Sequence, residues 1–143
     1  MRNGITLLEL LIVLVIAGVL ATIALPGITG LHDRLAVDAA ARAVAAAHTR
    51  ARIAALAEHR EMLLTLTADS LLLSAVESPI DTIERWRGDG PADHDVSVVG
   101  MPRRVSFAPS GVTMGFANAT YSLTRGSARK QVIVSRYGRV RVQ

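Results

Sequence analysis

The sequence predicts an α+β chain, one long N-terminal helix followed by a mostly antiparallel β-sheet packed on it, and three observations carry that prediction. From Leu10 to Thr29 no side chain is charged, and from Leu31 to Glu58 an alanine-rich stretch contains neither glycine nor proline. Beyond Arg60 the apolar residues alternate in twos, and turn residues punctuate the chain from there to its end. A run of strands after a single helix is the pattern of a sheet with its helix on one face.

The first element is an apolar helix over residues 5–29. About 20 apolar residues suffice to cross the hydrocarbon of a bilayer. Glu9 is the one acid inside this run, and a carboxylate near the bilayer centre costs roughly 2.5–3.5 kcal/mol on insertion scales, so it calls for a partner. A removable secretory signal fits less well, because the run continues into Leu25-Pro26-Gly27 with no small-residue cleavage pattern. The second element, about Leu31 to Glu58, is rich in the strongest helix former and places Val37, Ala41, Val44, His48, Ala51 and Ala55 on one stripe. Joined to the first, it makes one long helix, broken or bent by Pro26, Gly27 and Gly30.

Strands are expected at Glu61–Thr67 and Ser70–Val76, joined at Ala68-Asp69. Residues 77–95, with Pro79, Gly88, Gly90 and Pro91, read as a loop holding the only tryptophan, Trp86. Six short strands should follow, at Val96–Val99, Arg103–Phe107, Thr113–Phe116, Thr120–Thr124, Lys130–Ser135 and Arg139–Val142. Gly100-Met101-Pro102, Pro109-Ser110-Gly111, Arg125-Gly126-Ser127 and Tyr137-Gly138 supply turns between them. With 143 residues there is room for one modest folded domain, over 30–143, beyond the apolar helix. The absence of cysteine excludes disulfides and thiolate metal sites.

The string Gly4-Ile5-Thr6-Leu7-Leu8-Glu9-Leu10-Leu11, preceded by a short basic leader and followed by an apolar helix and Pro26, resembles the class III signal of type IV pilins and type II secretion pseudopilins. The resemblance implies a pilin-like fold and a leader, residues 1–4, removed by a prepilin peptidase that cuts after Gly4 and methylates Ile5. Where this chain has Ile5 the family usually has Phe, which keeps the position apolar. The family's buried acid falls on Glu9 and its helix-bending proline on Pro26, both implied to serve filament assembly. In a core of packed helices a carboxylate pairs best with a cation, and cleavage would free a neighbour's amine for that role. A second, weaker resemblance links the C-terminal half, ending in Gly138-Arg139-Val140-Arg141, to the GspH/FimT type of minor pseudopilin.

Charge is divided unevenly. Residues 1–95 hold 8 Lys+Arg and all 12 acids, whereas residues 96–143 hold 8 Lys+Arg and no acid, a net charge of +8. Arg139 and Arg141 should share one face of a strand while Val140 and Val142 enter the core. With Arg136 at the turn and Arg125, Arg129 and Lys130 in or beside the preceding hairpin, the group suits phosphates or an acidic protein partner. A solvated strand edge that uses charge to prevent aggregation is the alternative. A basic stripe without stacking aromatics is only half of a single-strand-binding surface; the tyrosines are Tyr121 and Tyr137.

Other chemistry is thin. Asp93-His94-Asp95 has metal-ligand types but sits in a polar Gly/Pro-rich stretch without further ligands, so no metal site is expected. His32, His48 and His59 lack ligand-pair spacing, and Ser110 and Ser135 have no evident base. The acid-free C-terminal half departs from major pseudopilins, whose calcium site there needs oxygen ligands. The reading is a non-enzymatic chain without cofactor, a minor pseudopilin of type II secretion in the bacterial inner membrane with its N-terminus cytoplasmic. Its partners would be other pseudopilins or pilins, the prepilin peptidase and the membrane. The alternative is a minor pilin that binds DNA through the basic hairpin; a third is a subunit that caps or primes a type IV pilus.

Overall fold

The computed structural model describes the backbone of residues 6–143 apart from 79, 102, 116 and 117, and the side chains of these apart from 23–28. Helix α1 (Leu7–Glu58) is one uninterrupted element of 52 residues. Thr6 opens it: its Oγ1 accepts the Glu9 N–H at 3.2 Å, the first half of a capping box with an acid at the third position. The helix passes through Pro26 without the break that the sequence suggested. Proline removes one N–H and crowds one carbonyl, and long flanking turns can absorb that loss. His59, at φ 51°, ends the helix in the left-handed conformation that closes many helices.

The chain divides into two compact units, Met1–His32 and Asp33–Gln143. In the first, the described side chains of α1 are exposed all round, Leu7 at 81% and Leu14 at 71%. Among the described residues no helix is long and apolar enough to cross a membrane. The span expected from sequence takes in the undescribed Ile5 and the undescribed side chains of 23–28, and residues 7–22 alone fall short of about 20.

In the second unit, two antiparallel sheets contribute to one core with the Asp33–Glu58 portion of α1. The first sheet has the order β3-β2-β1-β5-β6, with β1 Met62–Leu66, β2 Ser70–Ser78, β3 Asp81–Asp89, β5 Arg103–Phe107 and β6 Thr113–Met114. The second has the order β4-β7-β8-β9, with β4 Ser97–Val99, β7 Ala119–Arg125, β8 Ala128–Val134 and β9 Val140–Val142. The alternation of β1 buries Met62, Leu64 and Leu66 and leaves Leu63 and Thr65 half-exposed. From the helix, Val37, Ala41, Val44, His48, Ala51 and Ala55 are all buried, as their stripe predicts.

The loop expected over 77–95 is a strand and a 3-10 turn. β3 pairs with β2, and Pro91–His94 form the turn. As an edge strand β3 is exposed along most of its length and therefore carries a polar, charged sequence without alternation. In β9, Val140 is half-buried, but Val142, expected to enter the core, is 37% exposed and stays outside it. Phe116, expected to end a strand, lies outside the described residues, and β6 spans only Thr113–Met114.

Candidate functional site

Gly4 and Ile5 lie outside the described residues, as does the Pro26 side chain. Glu9 is exposed in the first turn of α1, amid exposed Leu7, Leu8, Leu10, Leu11 and Ile12. A helix apolar on every side is stable only when lipid or other helices cover it.

The six basic residues singled out in the C-terminal half separate into two groups. Arg125 ends β7 and turns inward: its Nη1 donates to the His94 carbonyl at 2.6 Å, its Nε lies 3.2 Å from Asp33 Oδ1, and its Nη2 lies 3.6 Å from Asp95 Oδ2. Lys130 on β8 is held by Asp38, which also pairs with Arg42 at 2.5 Å. The Lys130 hydrogen bond draws the Asp38 carboxyl below its usual range. These two cations therefore fasten the β7–β8 hairpin to α1. A charge count along the chain cannot see that, because Asp33 and Asp38 lie 92 residues before Arg125 and Lys130.

Arg129, Arg136, Arg139 and Arg141 are exposed, and among the described residues none has an ion pair. Arg141 stands opposite Ile133 on the outer face of the second sheet, as the alternation of Arg139 and Arg141 predicts. Arg139, Arg141, Tyr137, Asn118, Ile133 and Ser135 line a shallow depression of about 530 Å³. The turn that presents Arg136 and Tyr137 is well fixed. Gly138 N–H donates to the Ser135 carbonyl at 2.9 Å, and Thr113 Oγ1 donates to the Arg136 carbonyl at 2.7 Å. Gly138 sits at φ +70°, where a Cβ would fall 2.9 Å from Arg52 Cδ and 3.0 Å from the Gly111 carbonyl oxygen.

The structure also holds a buried polar pair that sequence placed only in part. His48 Nε2 lies 3.2 Å from Tyr121 Oη, and the His48 ring meets Phe107 edge-on at a 6.2 Å centroid distance. His48 Nδ1 has no partner among the described residues. Burial, helped by the nearby Arg103 charge, pushes the His48 pKa down to about 4. Burial likewise pushes the Tyr121 phenol up to about 12, against the opposing pull of Arg103. Sealed from solvent, the pair holds the core together rather than meeting a substrate. The 93–95 triplet is used locally: Asp93 Oδ2 accepts the Gly90 N–H at 3.0 Å, and Asp95 faces Arg125. Among the described residues no three metal-capable side chains converge.

Comparison with known proteins agrees with this architecture. Residues 1–25 match the prokaryotic N-terminal methylation motif. The chain is 34% identical, over 158 aligned positions covering 99% of each chain, to pilin-like protein PilA1 of Thermus thermophilus. Its fold is similar to the crystal structure of the type IV minor pilin FimU of Pseudomonas aeruginosa, with a TM-score of 0.63 and 16% identity over 77% of this chain and 90% of that one. A second crystal form of FimU gives a TM-score of 0.59 at 16% identity, over 74% and 91%.

Proposed function

The chain belongs to the type IV pilin-like proteins, and from that membership we propose that it is a non-enzymatic minor subunit of a type IV filament. In this reading it is held in the bacterial inner membrane by its N-terminal helix, cut after Gly4 and methylated at Ile5. The observation that carries the reading is the first turns of α1, with large apolar side chains exposed all round and a single carboxylate, Glu9. Such a surface is covered by lipid before assembly and by neighbouring helices after it, where Glu9 meets a freed N-terminal amine. The finer assignment is to the pseudopilus of type II secretion. In its support, Arg125 and Lys130 are used to build the domain, and the buried His48–Tyr121 pair is closed to substrate.

Processing and assembly are tested separately. Gly4→Val should leave the protein in the membrane at full length, while Glu9→Val should be processed and membrane-held yet enter filaments poorly. Unchanged cross-linking of Glu9→Val to partner subunits would refute the pairing with an amine. Co-isolation with secretion pseudopilins, rather than pilus subunits, checks the finer assignment.

One observation favours a second reading, capture of DNA. Arg129, Arg136, Arg139 and Arg141 are exposed on a stretch of chain with no acidic side chain, and Tyr137 lines one depression with Arg139 and Arg141. Binding of this kind is non-specific and weakens steeply with salt. Titration of the full chain in detergent micelles with duplex DNA, at low and moderate salt, decides it: no binding even at low salt ends this reading.

A further inference from the structure

Two edge strands, β3 and β9, differ in how their main chains are guarded. Strand β3 has register shifts against β2 and carries charges of both signs, which pair as Glu84 with Arg87 and Arg85 with Glu58. Irregular register and edge charges of this kind keep a strand from pairing with another chain. Strand β9 has neither guard on its inner side. Its register against β8 is regular, it contains no proline, and the side chains it turns toward the core are Val140 and Val142. Gln131 and Gln143 exchange N–H···O bonds of 2.8 and 2.9 Å, and the Ser135 N–H donates to the Arg139 carbonyl at 2.9 Å. Bonded positions alternate along an antiparallel pair, so Arg139, Arg141 and Gln143 serve β8 while the N–H and carbonyl of Val140 and Val142 point away from it. Among the described residues no further strand takes them up.

We propose that the β9 edge takes up an extended, acidic segment of a different pilin-like subunit as a fifth strand of the second sheet. The proposal rests on the filament reading and adds to it a contact with an unlike neighbour, as suits a minor subunit. Main-chain bonds to Val140 and Val142 supply affinity, and side chains on the inner face of the added strand cover Val142, an apolar residue otherwise 37% exposed. Charge selects the occupant. Arg139 and Arg141 are exposed on the outer side of the edge, and Arg136 lies in the turn before it. Arg52 of α1 lies against that turn, where a Gly138 Cβ would fall 2.9 Å from its Cδ. None of these four has an ion pair among the described residues, and residues 96–143 hold no acidic side chain to neutralise them. Carboxylates at alternate positions of an added strand meet Arg139 and Arg141 across the sheet. A second β9 would set arginines against arginines, so the edge does not close on its own copy.

Position 142 separates edge pairing from folding. Its N–H does not serve β8, so Val142→Pro removes one outward donor and leaves the β8–β9 ladder in place. Val142→Thr keeps both the donor and the branched shape. For the test, the full chain carries the photo-cross-linking residue benzoylphenylalanine in place of Tyr137, which is 74% exposed in the turn before β9, and is irradiated in membranes of the producing cell. The expected adduct is with one different pilin-like subunit, and the cross-linked peptide is an extended segment bearing carboxylates. Val142→Pro should reduce that adduct about tenfold, the loss expected when a main-chain hydrogen bond goes and its acceptor is stranded. Val142→Thr should not. Arg139→Glu with Arg141→Glu should reduce it at least as much, and the thermal unfolding midpoint should hold in every variant. An adduct only with a second copy, or one insensitive to either Val142→Pro or the charge reversal, overturns the proposal. A processed chain that enters filaments and gives no adduct also overturns it and leaves the filament reading intact. A chain that is neither processed nor assembled overturns both.

Discussion

The two ends of β8 carry basic residues of similar spacing and opposite use. Where β7 meets β8, Arg125 and Lys130 turn toward α1 and are neutralised by Asp33, Asp38 and Asp95, while Arg129 beside them stays exposed. Where β8 meets β9, Arg136, Arg139 and Arg141 face solvent with no ion pair among the described residues. What separates them is where each meets α1: the first hairpin meets it at Asp33 and Asp38, whereas the second turn lies against Arg52. The basic residues on the inward side of the second sheet join it to α1, and those at its outer edge have no ion pair among the described residues. Substitutions on the inward side should therefore move folding, and substitutions at the outer edge should move only association.

The largest effect should come from acid. An unfolded histidine titrates near 6.5, while His48 in the folded core titrates at about 4, so between these values the unfolded chain binds a proton that the folded chain excludes. The stability this group confers is complete above about pH 6.5 and falls as pH drops toward 4, by about 3 kcal/mol in all. Urea unfolding of the full chain in micelles at pH 7 and pH 4.5 measures it. The double variant His48→Met with Tyr121→Phe should lose that part of the pH dependence. Tyr121→Phe alone should cost about 1–3 kcal/mol, because it strands the remaining ring nitrogen without a partner. If the single variant proved no less stable than the double, the 3.2 Å contact would carry no weight.

A smaller effect is expected from Arg125→Ala. It releases three acceptors at a partly exposed position, and screening by solvent limits the cost to about 1 kcal/mol. Smallest of all should be Arg139→Ala with Arg141→Ala, at under about 0.5 kcal/mol by the same unfolding measurement. A cost equal to that of Arg125→Ala would erase the distinction between the two ends of the strand.

Much of this architecture is legible in the chain because its signals are local. The helical stripe from Val37 to Ala55 predicts which side chains are buried, and the end of α1 at Glu58 and the whole of β5 coincide with their expected bounds. Edge strand β3 is not legible, since its pairing energy comes from backbone bonds to β2 while its side chains face water, leaving no alternation to detect. The His48–Tyr121 contact spans 73 residues, and the acids of Arg125 and Lys130 are similarly remote. The position of His48 on the buried stripe signals that it needs a partner in the core; nothing local names Tyr121. For the candidate site, the sequence identifies the basic residues, and only the fold sorts them into clamps and free charges.

Intact-mass analysis of the membrane fraction tests most directly whether the chain is a processed filament subunit. The predicted mature species begins at Ile5 and is one methyl group heavier than the bare chain 5–143. A mature protein still beginning at Met1, in cells whose other pilin-like subunits are processed, would contradict the account.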